Sequence, residues 1–137
     1  MKILIVGGTI FMALLCATSS CSKKKDHIGI PGVAYFSGKY NCTGYDPYLN
    51  QKYTGQIEIV QNESVYDIKM HYSTNDHMIG TGGQYDDQLL FVVFQDQKDL
   101  KKVGLEQYQR KGEHTIAGYW TYLGKNKLGE EICEKVG

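Results

Sequence analysis

From residue 34 to the end of the chain, apolar and polar residues alternate in short runs, and turn-forming residues separate the runs. The clearest run is 64–72, with Tyr66, Ile68, Met70 and Tyr72 on one side and Val65, Asp67, Lys69 and His71 on the other. A period of two sends these sets to opposite faces of a sheet. Run 54–61 repeats the pattern, with Ile57 and Ile59 set against Gln56 and Glu58. Further strands are predicted at 34–43, 77–85, 88–95, 101–110, 114–123 and 128–136. Run 77–85 is rich in glycine, which marks a bulge, a tight coil or a close backbone approach. Run 88–95 is apolar on both faces through Leu89-Leu90-Phe91-Val92-Val93-Phe94.

The turns are compact, among them Gly44-Tyr45-Asp46-Pro47, Asn62-Glu63, Asp86-Asp87 and Lys111-Gly112-Glu113. No segment after residue 34 has a helical period. Sequential antiparallel strands of this number remove their exposed edges by closing on themselves. The predicted fold is therefore all-β: an eight-stranded antiparallel up-and-down β-barrel over residues 34–137. Such a barrel is either filled by side chains or holds one small ligand.

The first 33 residues follow another logic. Lys2 precedes an uncharged, mostly apolar run from Ile3 to Ala17, shorter than the roughly 18–20 residues of a mature membrane span. Thr18-Ser19-Ser20 then lead into Cys21, and small residues directly before a cysteine resemble the lipobox of bacterial lipoproteins. Residues 1–20 are thus expected to be a lipoprotein signal peptide and Cys21 the lipidated residue. Residues 21–33, with Lys23-Lys24-Lys25, read as a flexible tether. Thr18 stands where the lipobox usually has Leu, and ordinary secretory cleavage after Ser19 is the alternative.

Cysteine arithmetic separates the two. Of the four cysteines, Cys16 leaves with the signal, and lipidation of Cys21 leaves Cys42 and Cys133 as an even pair. These two lie in the first and last predicted strands, which a closed barrel must make neighbours. A Cys42–Cys133 disulfide would seal that seam. It would cross-link a loop of roughly 90 residues, worth about 4–5 kcal/mol by chain entropy.

Composition narrows the function classes. Lys+Arg and Asp+Glu each number 15, so no net field draws the chain to nucleic acid, and no nucleic-acid partner is expected. The 11 tyrosines against 4 Phe and 1 Trp suit strands.

The ordered motifs Gly38-Lys39-Tyr40-Asn41-Cys42-Thr43-Gly44-Tyr45-Asp46-Pro47, Tyr53-Thr54-Gly55, Gly80-Thr81-Gly82, Gly118-Tyr119-Trp120 and Gly129-Glu130-Glu131 resemble a group of small exported bacterial β-proteins, some labelled fibronectin-binding. That resemblance spans residues 36–135 and implies an avidin-like or lipocalin-like barrel. Tyr40-Asn41-Cys42 with Cys133 also resembles lipid-anchored inhibitors of lysozyme, although the chain has no clear Ser-Gly-x-x-Tyr segment.

Catalytic and metal motifs are sparse. His71, Asp76 and His77 stand near one predicted turn, but no His-x-x-x-His or Cys-x-x-Cys spacing accompanies them. They are read as exposed turn residues, with no metal and no cofactor. There is no Gly-x-Ser-x-Gly elbow, and the mature cysteines are assigned to the disulfide. The expected function is non-enzymatic. A lipid-anchored envelope barrel, on the periplasmic or surface face of the outer membrane, binds a small ligand or an envelope or extracellular protein. Lysozyme inhibition and a structural role in an envelope or secretion complex are the alternatives. Tyr66, Tyr72, Tyr108, Tyr119 and Trp120 are the candidate ligand-binding residues, because aromatics at a barrel mouth can stack on a ligand. Filling the interior is the other use of such residues.

Overall fold

The computed structural model describes residues 34–137. The signal segment 1–20, Cys21 and the tether 21–33 lie outside the described residues. The strands are β1 (Gly38–Asp46), β2 (Gln51–Asn62), β3 (Val65–Tyr72), β4 (His77–Gln84), β5 (Leu89–Asp96), β6 (Val103–Arg110), β7 (Thr115–Tyr122) and β8 (Gly129–Lys135). Each pairs antiparallel with the next, and β8 pairs back onto β1 to close an eight-stranded barrel. Among the described residues there is no helix.

Closure brings Cys42 and Cys133 into direct register, and they form a disulfide. Both cysteines face inward and are buried. The predicted strands appear at nearly the predicted places, with one informative shift. Strand β1 runs Gly38–Asp46 rather than 34–43, so Gly44 and Tyr45 are strand and not turn. The turn starts at Asp46, whose Oδ1 accepts the Tyr48 and Leu49 amides at 2.7 and 3.1 Å. An aspartate that bonds the amides two and three residues ahead nucleates a turn by itself. Asp86 and Asp96 do the same after β4 and at the end of β5. Residues 34–37 instead form a turn that tucks Phe36, fully buried, into one end of the barrel.

Alternation fills the middle. Ile57, Ile59, Ile68, Met70, Leu90, Val92 and Ile116 point inward and are buried, while their strand neighbours face outward. At roughly 25 cal/mol per Å² of apolar surface removed from water, each such side chain stabilises the fold by about 1.5–3 kcal/mol. The two-faced apolar run in β5 resolves the same way: Leu90, Val92 and Phe94 are core, whereas Phe91 and Val93 are exposed.

Inward glycines serve the aromatic rings. Tyr53 lies opposite Gly44, Tyr72 opposite Gly55, Phe94 opposite Gly104, Tyr108 opposite Gly118 and Trp120 opposite Gly129. A Cβ on any of these glycines would come within 2.2–2.9 Å of the facing ring. Each ring therefore covers a bare stretch of backbone, an arrangement that lets small barrels bend while keeping the backbone dry. The rings of β2 and β3 lean one way round the barrel and those of β5, β6 and β7 the other, all toward the β1/β8 seam.

Candidate functional site

The two ends of the barrel differ. The end near the β2–β3, β4–β5 and β6–β7 turns is stopped by Phe36, which packs edge-on against Tyr66 at 6.2 Å. Tyr40 donates its hydroxyl to the Phe36 carbonyl at 2.8 Å, fixing this plug. The opposite end, ringed by the β1–β2, β3–β4, β5–β6 and β7–β8 loops, holds a hollow. Tyr53, Tyr72, Trp120, Tyr122, Phe94 and Met78 line it, together with the carboxyl side chains Asp46, Asp76 and Glu106. The aromatics contact one another: Tyr53 and Tyr72 at 5.2 Å, Trp120 and Tyr122 at 5.2 Å, Phe94 and Tyr122 at 6.0 Å. Such edge-to-face geometry suits ring quadrupoles.

The hollow has about 350 Å³ of atom-free space counted out to open solvent, but only about 20 Å³ takes the centre of a water molecule. That is room for about one water. Tyr48 from the β1–β2 loop leans over it, 6.3 Å from the Trp120 ring and 5.8 Å from Tyr122. Its hydroxyl donates to the Lys127 carbonyl at 2.6 Å, tying the β1–β2 loop to the β7–β8 loop.

Two glutamates lie beneath the aromatics, and both are fully buried. Glu131 accepts hydrogen bonds from the hydroxyls of Tyr108 and of Tyr53, the second at 3.0 Å. The Trp120 indole N–H donates to the Tyr53 oxygen at 2.7 Å, completing a chain from the hollow to the carboxylate. Glu106 lies within hydrogen-bonding reach of the Tyr108 hydroxyl and of Glu131 itself. Its Oε1 is buried without a hydrogen-bond partner; among the described residues Gln84 Nε2, at the plugged end, shares that condition. Burial pushes both carboxyls above the usual range, Glu106 further because the negative charge of Glu131 opposes its ionisation. Two buried acids so close do not both ionise, so the pair retains a proton that an exposed carboxylate would lose. Burial, then the same two acids, also hold the hydroxyls of Tyr72, Tyr108 and Tyr53 protonated.

The rim already holds one ammonium. Lys102 Nζ lies 2.9 Å from Asp76, 3.9 Å from Asp96 and 5.0 Å from the centre of the Tyr122 ring. Burial works against its charge, but the bonds to Asp76 and Tyr122 outweigh it and raise its pKa. Burial also works against the charge of Asp76, and the Thr74 hydroxyl with Lys102 overcomes it to hold that carboxyl below the usual range.

The five candidate aromatics do not share one place. Tyr72 and Trp120 line the hollow. Tyr108 lies below it, fully buried, with its hydroxyl on Glu131. Tyr66 is at the plugged end, donating to Gln84. Tyr119 faces outward, 60% exposed, because its neighbour Trp120 faces inward and a strand alternates. His71 and His77 sit on the outer wall, while Asp76 is committed to Thr74 and Lys102 and does not join them. Sequence reasoning missed Glu106 and Glu131. The signal was parity: once Cys133 is inside, Glu131 two residues earlier shares its face, and Glu106 alternates with Tyr108.

No protein-family model matches this chain, and no curated protein is a significant match. Solved structures do match. A redesigned β barrel, mFAP1, bound to DFHBI, has a TM-score of 0.62 and 13% identity over 74% of this chain and 95% of that one. A second, mFAP0, also bound to DFHBI, has a TM-score of 0.62 and 14% identity over 74% and 99%. A de novo designed fluorescence-activating β barrel has a TM-score of 0.60 and 10% identity over 78% and 99%. At such identities the likeness is one of fold: a small closed β-barrel.

Proposed function

We propose that this chain is a non-enzymatic binding barrel. Its ligand enters at the aromatic end and carries a flat apolar body and an amine. One observation carries the reading: a buried carboxyl oxygen, Glu106 Oε1, without a partner, on the wall of a hollow lined by five aromatic rings. An unmet buried acceptor costs about 1–3 kcal/mol, and a ligand N–H that reached it would recover much of that. Rings offer their electron-rich faces to a cation, and Lys102 over Tyr122 illustrates this at the rim. Barrels of similar fold are bound to DFHBI, and because this hollow as it stands admits about one water, a ligand must displace the rings that line it. Entry requires Tyr48 to swing off Trp120.

The emission of Trp120, the single tryptophan, reports on the site directly. Phenethylamine should change it saturably, and neutral 2-phenylethanol should bind at least about tenfold more weakly, the equivalent of about 1.4 kcal/mol. Glu106→Gln should weaken the amine by a similar factor. Equal binding of amine and alcohol, or an unaffected variant, would remove the amine from the reading; no saturable change with either would remove the site.

The lipid at Cys21 and a location at the outer membrane belong to the same proposal, supported by the small residues before Cys21 and by the pairing of the two remaining mature cysteines. Intact mass of protein extracted from membranes should include acyl chains, and Cys21→Ser should abolish them.

A further inference from the structure

We propose that His71 and His77 form a metal clip on the outer wall of the barrel, taking a divalent transition cation of tetragonal preference such as Cu²⁺ or Ni²⁺. The two residues are direct partners across the β3/β4 ladder, so their side chains leave the sheet side by side. Their Nδ1 atoms are 2.7 Å apart, with ring centres at 4.8 Å and planes at 80°. Two imidazole nitrogens so close share either one proton or one cation. With metal–nitrogen bonds of about 2.0–2.1 Å, ligands at a right angle stand about 3.0 Å apart, whereas tetrahedral ligands stand about 3.4 Å apart. The observed spacing is a few tenths of an ångström from the first and twice as far from the second. The general order of divalent affinities places Cu²⁺ first for such a pair of imidazoles.

The clip is held from below. The hairpin that joins the two strands is closed by Tyr72 N–H to the Asp76 carbonyl at 3.0 Å and Asn75 N–H to the Tyr72 carbonyl at 2.9 Å, with Asn75 in the left-handed region at φ 64°. Ser73 N–H bonds the Thr54 carbonyl of β2, and Gln97 N–H bonds the carbonyl of His77 itself. Both backbones are thereby fixed before any ion arrives, which lowers the entropy lost on binding. Gln56 stands opposite His71 in the next strand, its amide nitrogen donated to Asn41 at 3.3 Å, and brings a side-chain oxygen into the same row. Lys69, two positions along β3, is faced in register by Glu58, whose carboxylate lies 3.6 Å from Lys39 Nζ.

The test is calorimetric titration of the tag-free chain with Ni²⁺, Cu²⁺, Zn²⁺ and Mg²⁺. The expected result is one saturable Ni²⁺ or Cu²⁺ per chain, weaker Zn²⁺ and no Mg²⁺, since hard cations prefer oxygen ligands. His71→Ala and His77→Ala should each weaken Ni²⁺ at least tenfold, and His114→Ala should leave it unchanged. Melting in the absence of metal should match wild type for all three, because no core contact is lost. A double variant that binds Ni²⁺ as wild type does, or a wild type with no saturable site, would overturn the clip; Zn²⁺ binding tighter than Cu²⁺ would overturn its choice of metal.

Discussion

The two ends of this barrel are built from similar residue types and are arranged differently. At the plugged end, Phe36 and Tyr66 pack edge to face and Tyr40 bonds the Phe36 carbonyl, so rings meet rings, with Gln84 Nε2 left unpartnered beside them. At the open end Tyr53, Tyr72, Phe94 and Trp120 each lie on a glycine, and the floor is a pair of buried acids. The first arrangement spends aromatic surface on stability. The second leaves a Glu106 oxygen unmet, and on the proposed reading that is where a ligand is recognised. The lesson is that a tyrosine-rich strand says little about binding until its end of the barrel is known.

That contrast can be broken at defined points, the largest effect first. Phe36→Ala should cost about 3–5 kcal/mol, because it empties the plug, and chemical denaturation should read it. Amine binding at the far end should survive under conditions where the variant remains folded. Reducing the Cys42–Cys133 bond, or replacing both cysteines by alanine, should cost about 2–5 kcal/mol. Since the bond constrains 91 residues of the unfolded chain, reduced protein should unfold at lower urea and with a steeper dependence than oxidised protein. Gly129→Ala drives a Cβ to 2.2 Å from the Trp120 ring and should cost about 1–3 kcal/mol, with a shift in tryptophan emission. Gly112→Ala, with nothing within 4 Å, is the matched control and should be within about 0.5 kcal/mol of wild type.

The acids give the smallest but most diagnostic stability effect. Below about pH 4.5 Glu106 is protonated in both folded and unfolded chains. Above it the unfolded chain loses the proton and the folded barrel retains it, so stability falls as pH climbs toward the raised folded value. Glu106→Gln removes that loss. Melting temperature measured from pH 5 to pH 8 should decline less steeply in the variant than in wild type.

Much of the fold was legible because alternation is a strong signal. Tyr66, Ile68, Met70 and Tyr72 all face inward as the period of two demands, and the pairing of Cys42 with Cys133 follows from closure. The end of β1 was not legible, because Gly44 looks like a turn residue until Tyr53 is placed over it. The candidate site was half legible for a related reason. Parity could separate Trp120 from Tyr119 and could place Glu131 with Cys133. It placed Tyr66 and Tyr72 at opposite ends of one strand but could not say which end of the barrel would be stopped. That depends on Phe36, which folds back from outside the first strand.

The most direct test of the central claim is the carboxyl carbon of Glu106, followed by nuclear magnetic resonance at pH 7 as phenethylamine is added. The account predicts a signal at the protonated position in the free protein, moving to the ionised position as Trp120 emission saturates. A Glu106 signal that stays where it was while the amine binds would contradict it.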